Sequence, residues 1–160
     1  MKKKDDKTNV MRILEQNGIP YTAHAYPADG PTDGVSVAKI LNQDPEQVFK
    51  TLVTKAASGN YYVFDIPVAE NLDLKKAAKA VGEKSIAMIP QKDLLPLTGY
   101  IHGGCSPVGM KKQFPTVFHE TLVLFDTICV SAGKIGAQIE AAPQDLIQLL
   151  GAAAADITVE

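Results

Sequence analysis

The sequence predicts one α/β (α+β) domain built on a mixed β-sheet. Three observations predict the class. The chain has 160 residues, a length at which one hydrophobic core forms. Hydrophobic residues make up 46% and charged residues 21%, a balance that excludes disordered, collagen-like and disulfide-framework chains. Short apolar runs of strand type outnumber helical ones, and hairpin spacings mix with crossovers, so a doubly wound parallel sheet is not expected. No Ser-, Pro- or Gly-rich stretch divides the chain, so residues 1–160 read as a single domain. Tryptophan is absent and aromatics are 6%, which leaves the core to Val, Ile, Leu and Ala.

The elements follow in order. Thr8 caps a helix running to about Asn17, with Val10, Ile13 and Leu14 on one face and Gly18 as the stop. Tyr21–Ala25 reads as a strand. Pro27–Gly34 holds two prolines, two glycines and two aspartates and reads as a loop. Ser36 starts a short helix over Val37–Leu41. Val48–Thr54 and Tyr61–Ile66 flank Ala57-Ser58-Gly59-Asn60 as a hairpin. Asp73–Val81 is a helix closed by Gly82, Ile86–Met88 a short strand, and Pro90–Leu97 a short helix entered at proline. Thr116–Phe118, Leu122–Phe125, Ile128–Ser131 and Ala137–Glu140 read as strands. Pro143–Leu150 is a helix stopped by Gly151, and Ile157–Val159 a last strand. The alanine run at Ala152–Ala155 is too short to carry weight.

Charge and composition exclude several function classes. The net charge of -2 argues against a strongly basic nucleic-acid binder. No run approaches the ~20 apolar residues that span a bilayer. The start, Met1-Lys2-Lys3-Lys4-Asp5-Asp6-Lys7, lacks the apolar segment of a secretory signal and reads as a solvated lead into the first helix. A cytoplasmic protein with reduced Cys105 and Cys129 is expected. The cysteines form no CxxC and have no histidine at zinc-finger spacing, so no metal site is expected.

One loop stands out. Gly99–Gly109 contains four glycines in eleven residues. Such a loop lets backbone approach a ligand and lets N–H groups converge on a phosphate or a polarised carbonyl oxygen. It matches neither GxGxxG nor GxxxxGK[ST], and a tight structural turn needs the same glycines. Lys50 is the second candidate, because it interrupts the apolar strand Val48-Phe49-Lys50-Thr51-Leu52-Val53. A lysine there meets a partner or a ligand, or snorkels from a sheet edge to water. Ser131, in Val130-Ser131-Ala132-Gly133-Lys134, puts a hydroxyl at a strand end, although a hairpin turn reads equally there. Lys75, Lys76, Lys79 and Lys84 with Lys111, Lys112 and Lys134 form either a phosphate-tracking stripe or a solvated face. Ser106 is not in a GxSxG elbow. His24, His102 and His119 are singletons, a Cys105–His102 dyad has no supporting spacing, and Cys129 reads as core.

Taken in order, four motifs resemble one family. They are Phe49-Lys50-Thr51-Leu52; Asn71-Leu72-Asp73-Leu74-Lys75-Lys76-Ala77-Ala78; Gly103-Gly104-Cys105-Ser106-Pro107-Val108-Gly109-Met110-Lys111-Lys112; and Val130-Ser131-Ala132-Gly133-Lys134. The sequence is similar to the YbaK/EbsC family of aminoacyl-tRNA deacylases, and within it to the bacterial Cys-tRNA(Pro) group, from about Thr8 to Ile157.

The resemblance implies a mixed barrel-like β-sheet with flanking helices and a trans-editing hydrolase acting on the cysteine-bearing acceptor end of tRNA(Pro). Cys-tRNA(Cys) is a further substrate it implies, prolyl-tRNA synthetase a partner, and neither DNA, membrane, metal nor cofactor is called for. Editing is needed because a binding pocket cannot strongly reject a close isostere. Lys50 matches the essential lysine. Gly103 through Pro107, including Gly104, Cys105 and Ser106, matches the GxxxP loop that cradles the terminal adenosine and the ester. Gly103 and Gly104 amides would bind the developing oxyanion. Ser131, beside Gly133, matches a hydroxyl at the pocket wall, and Tyr26 an aromatic at its mouth. The Pro27–Gly34 loop lacks the aromatic that some members carry. The resemblance also implies attack by the substrate's own thiol to give a cyclic thiolactone, which makes Cys105 unnecessary as a nucleophile. An Ala-tRNA(Pro) deacylase and a non-catalytic binder of charged tRNA are the alternative readings.

Overall fold

The computed structural model describes residues 7–160. The lysine-rich start over residues 1–6, read above as a solvated lead, lies outside them.

Local signals set most elements. Thr8 accepts a hydrogen bond from the Met11 amide and opens α1 (Asn9–Gln16), whose Val10, Met11 and Leu14 are buried. β1 is Tyr21–Ala25. Asp33 caps α2 (Gly34–Ile40) by accepting from the Ser36 amide. β2 (Phe49–Ala56) and β3 (Tyr61–Pro67) form the expected hairpin. Asp73 accepts from the Lys75 and Lys76 amides at the start of α3 (Leu74–Val81), and Gly82 ends it in the left-handed region at φ 74°. That conformation costs glycine nothing. β4 is Ile86–Met88. The helix expected from Pro90 begins as a 3₁₀ turn, Gln91–Asp93, and continues as α4 (Leu94–Thr98). After the glycine loop come β5 (Thr116–His119), β6 (Ile128–Ser131), β7 (Ala137–Ala141), α5 (Pro143–Leu150) and β8 (Ala153–Ala155).

Three expectations are corrected. The sheet is not one barrel-like surface. It is a three-stranded antiparallel sheet ordered β1-β7-β6 and a five-stranded mixed sheet ordered β4-β2-β3-β5-β8, and no barrel closes. The parallel pairs are β3 with β5 and β5 with β8. Leu122–Phe125 is not a strand but falls in a 3₁₀ turn over Glu120–Leu124 and the residue after it. Leu122 is fully buried while Leu124 is 76% exposed, and the repeat is three residues, not two. Ile157–Val159 is not a strand either. Ile157 plugs the core at 0% exposure, and its amide donates to His119 Nδ1. The last strand is the alanine segment that looked too short to matter, laid parallel on β5 as a narrow edge.

The core divides between the two sheets. Ile128, Val130, Ile139 and Ala141 pack with Leu14, Phe118, Leu122 and Leu146. Phe64, Ile66, Ala77, Ala78, Val117 and Ile157 pack between the larger sheet and α3. Each such large side chain, removed from water, contributes about 1.5–3 kcal/mol before entropy is counted. Lys76 does not belong to a free basic stripe. Its ammonium donates to the Thr158 carbonyl and pairs with Asp156 and Glu160, fastening the chain end. Among the described residues no helix is long and apolar enough to cross a membrane.

Among the described residues one backbone bridge joins the sheets. Val48, just before β2, makes an isolated parallel bridge to Cys129 of β6, and the Cys129 amide donates to the Gln47 carbonyl at 3.0 Å. Ala38, Val48, Val68 and Cys129 pack around that junction. Gly34 opens α2 against it. A Cβ on Gly34 would lie 2.3 Å from Val68 Cγ1, and Val68 is itself buried. Gly34→Ala is therefore expected to lower stability by about 1–3 kcal/mol in denaturant unfolding, as overpacking does. Gly30→Ala, whose nearest neighbour would sit at an ordinary 3.7 Å, is expected to stay within about 0.5 kcal/mol of wild type.

Candidate active site

The bridge between Val48 and Cys129 explains where the site lies. Beyond it β2 and β6 are not paired, and β4 joins β2 only from Thr54 onward. The edge of β2 from Phe49 to Leu52 thus has no strand partner on that side among the described residues. A cleft of about 370 Å³ runs along this open edge. Lys50 and Ser131, each two residues past the bridge, stand on its two walls. Tyr26, Gly103 and Cys105 complete the expected lining.

Electrostatics make the cleft unusual for a surface groove. Lys50 is half-buried and has no carboxylate within ion-pair distance among the described residues. Burial pulls its ammonium below the ordinary lysine value, and the more distant Glu70 only partly opposes this. A charge kept partly dry and unpaired is poised to meet an anion or an oxygen that gains charge. Cys105 is a poor nucleophile. Burial first, and the nearby Asp65 second, push its thiol up to about 12, so almost none of it is thiolate at neutral pH.

The glycine loop is held rigidly from behind. Tyr100 donates its hydroxyl hydrogen to the Val108 carbonyl at 2.5 Å. Ser106 is fully buried and accepts from the Val108 amide, and Pro107 is buried beside it. Gly104 packs on the next loop, where a Cβ would stand 3.0 Å from backbone atoms of Lys134 and Ile135. Its amide donates to the Ile101 carbonyl at 3.0 Å and so is already engaged, contrary to the expectation that it faces an oxyanion. Gly133 is likewise a packing position, with φ 99° and no room for a Cβ against Tyr100 and Val10. Its amide donates to Ser131 Oγ at 3.1 Å and fixes that hydroxyl. Gly104, Ser106, Pro107 and Gly133 thus support the cleft without lining it, while Gly103 stays on the wall.

Several lining residues carried no sequence signal for the site. Thr32, Asp33 and Gly34 bring the Pro27–Gly34 loop to the rim. Asp33 was legible only as one of that loop's two aspartates, and its part as the cap of α2 comes from the structure. His102, a singleton in the chain, reaches the cleft. Gln138 is buried and exchanges hydrogen bonds with Gln43, at 2.7 and 3.2 Å. Thr51 lines the cleft beside Lys50 because the cleft follows a strand edge, where both faces are reached. His24 is not available in the same way. It pairs with Glu140 at 2.7 Å on the smaller sheet. Behind Thr51 lies Asp65, fully buried, with Oδ1 2.5 Å from Thr51 Oγ1 and Oδ2 without a partner.

Comparison with known proteins follows the same lines. The aminoacyl-tRNA editing domain matches residues 32–149. A protein of Enterococcus faecalis provisionally named Cys-tRNA(Pro)/Cys-tRNA(Cys) deacylase EbsC is 45% identical over 160 residues, spanning 99% of this chain and 98% of the relative. A crystal structure provisionally described as a trans-editing enzyme for prolyl-tRNA synthetase is 27% identical, with a TM-score of 0.82 over 96% of this chain and 99% of that one. A hypothetical protein of known structure, 21% identical with a TM-score of 0.86 over 94% of this chain and 99% of its own, shares the fold.

The buried carboxyl makes a thermodynamic statement. Desolvation raises Asp65 from 3.8 to about 8, against a smaller opposing effect of the Thr51 hydrogen bond. Between those values the folded chain keeps a proton that the unfolded chain has lost. Stability therefore falls as pH rises from about 4 to about 8 and levels off above it. Asp65→Asn removes this slope. Urea unfolding of wild type and Asp65→Asn at several pH values is expected to show the difference in stability between them growing across that window, with the variant gaining at the alkaline end.

Proposed function

Because this chain belongs to the aminoacyl-tRNA editing domain family, we propose that it deacylates mischarged Cys-tRNA(Pro), with Cys-tRNA(Cys) as a further substrate. The observation that carries the reading is the pairing of a half-buried, unpaired Lys50 with Gly103 and Ser131 around one cleft. Its volume of about 370 Å³ suits a small ligand. That is the size of an aminoacyl-adenosine end.

The chemistry asked of the protein is modest, because the ester is activated and the substrate brings a nucleophile. The cysteine sulfur attacks the ester carbonyl carbon. A C–S bond forms and the C–O bond to ribose breaks. The thiol proton ends on the ribose oxygen, and a four-membered thiolactone leaves for hydrolysis by water. The protein holds the reacting atoms together and stabilises charge on the carbonyl oxygen. Lys50 and the Gly103 amide are assigned to that charge, Ser131 to the substrate's polar end, and Tyr26 to the mouth. Cys105 needs no covalent role, in keeping with its raised thiol value.

A net charge of -2 gives little general attraction for a polyanion. The cleft reads only the acceptor end, so selection of the tRNA is assigned to a partner, prolyl-tRNA synthetase. The described trans-editing neighbour supports that assignment. The cytoplasm, where tRNA is charged, is the proposed location.

The test is deacylation of Cys-tRNA(Pro) and Ala-tRNA(Pro) by wild type, Lys50→Ala and Cys105→Ser. Loss of cysteine alone is expected, slowed at least about 100-fold in Lys50→Ala and changed less than about threefold in Cys105→Ser. Release of alanine instead would move the chain to the sister specificity. Binding of either tRNA without release would make it a carrier. An S-methylated cysteinyl ester should resist turnover, and rapid hydrolysis of it would exclude the thiolactone route.

A further inference from the structure

Asp65 has no place in the mechanism above, yet its surroundings are demanding. It sits in the middle of β3, opposite Thr51 on β2 and Phe118 on β5. It is 0% exposed. Oδ1 has one partner, the Thr51 hydroxyl, and Oδ2 has none. Among the described residues no cation stands in for the missing bonds. Lys50, the neighbour of Thr51, interacts with Glu70 instead. A buried carboxylate with one hydrogen bond would be far too costly, so the group is held neutral.

Neutrality fixes where the hydrogens point. A carboxyl proton on Oδ2 would have nothing to donate to, whereas on Oδ1 it meets Thr51 Oγ1. The hydroxyl oxygen then accepts, and its own hydrogen must turn elsewhere. Thr51 is a cleft residue. We propose that Asp65 is a positioning residue that donates to Thr51 Oγ1 and so turns the Thr51 hydroxyl hydrogen into the cleft, as a donor to an oxygen of the bound aminoacyl-adenosine. Ionised Asp65 would reverse the bond. Thr51 would then have to donate backwards, and the cleft would lose a donor. This rests on the editing reading for the identity of the ligand, though not for the hydrogen-bond direction.

The groups packed on Asp65 leave its titration uncomplicated. From β2 it meets Thr51, from β5 Phe118, whose neighbour His119 holds the Ile157 amide and the Thr158 hydroxyl instead, and from the glycine loop Cys105 with Tyr100 behind. Burial pushes both of the latter up to about 12, so they stay neutral while Asp65, raised to about 8, loses its proton.

The experiment compares wild type, Asp65→Asn and Thr51→Val in single-turnover release of cysteine from Cys-tRNA(Pro), from about pH 6.5 to about pH 9.5. Asparagine is neutral throughout and keeps a donor for Thr51. At about pH 7 Asp65→Asn is expected within about threefold of wild type and Thr51→Val slower by about tenfold or more. Once the enzyme-free rate of ester loss at each pH is subtracted from both, ionisation of the substrate thiol cancels in the ratio of wild type to Asp65→Asn. That ratio is expected to fall about tenfold per pH unit above about pH 8. A ratio flat across the range, or an Asp65→Asn rate as low as that of Thr51→Val at about pH 7, would overturn the proposal. If wild type releases no amino acid from either tRNA, the editing reading fails, and infrared difference spectra against Asp65→Asn still decide this one. A protonated-carboxyl carbonyl band present at about pH 7 and lost at about pH 10 supports it, and a carboxylate band at about pH 7 overturns it.

Discussion

A single parallel bridge, between Val48 and Cys129, holds the rest of the architecture in place. It is the seam by which a three-stranded and a five-stranded sheet become neighbours. Both residues are buried and packed with Ala38 and Val68. The bridge fixes where β2 and β6 touch and therefore where they part. Everything the cleft offers follows from that parting, because Lys50 and Ser131 are carried onto facing walls by their distance along the chain from the seam. A slip of one residue in either strand would turn that strand's side chains to the other face and take Lys50 or Ser131 out of the cleft.

Much of this was legible in the chain, for identifiable reasons. The helix cap at Thr8, the hairpin around Gly59 and the stop at Gly82 are local devices, and the structure repeats them. Lys50 was conspicuous because a charge in an apolar strand is expensive. Tyr26, Lys50, Gly103, Cys105 and Ser131 do share one cleft. What was not legible depends on tertiary context. Nothing local distinguishes an alanine run that edges a sheet from one that frays, and β8 exists only because β5 presents a free edge to it. The strand expected at Leu122–Phe125 failed because four apolar residues in succession fit either repeat. Closure of the sheet cannot be read from strand count, since the open edge of β2 is a matter of where β4 and β6 attach.

The glycine loop shows how a motif divides its labour. Of its residues, Gly103 and Cys105 face the cleft, whereas Gly104, Ser106 and Pro107 hold the loop to its neighbours. Gly104 is glycine because the Lys134–Ile135 backbone lies against it, not because its amide is needed by a ligand. Identity at such a position reports packing, and a reading from sequence alone assigns it to chemistry. Asp65 is the converse case. No motif or paired spacing singles it out in the sequence, and only its isolation in the folded core gives it meaning.

The open edge of β2 has a cost outside catalysis. An unpaired strand edge is a template on which another chain can add, and proteins guard such edges with charge, lysine above all. Here the guard and the lysine proposed to stabilise the ester's charge are the same residue, half-buried midway along the unpartnered stretch from Phe49 to Leu52. The chain cannot trade Lys50 for an apolar residue without also inviting self-association at its own site. Loss of the editing function and a gain in aggregation are thereby tied to one position, so drift at Lys50 is opposed by colloidal stability as well as by translational accuracy.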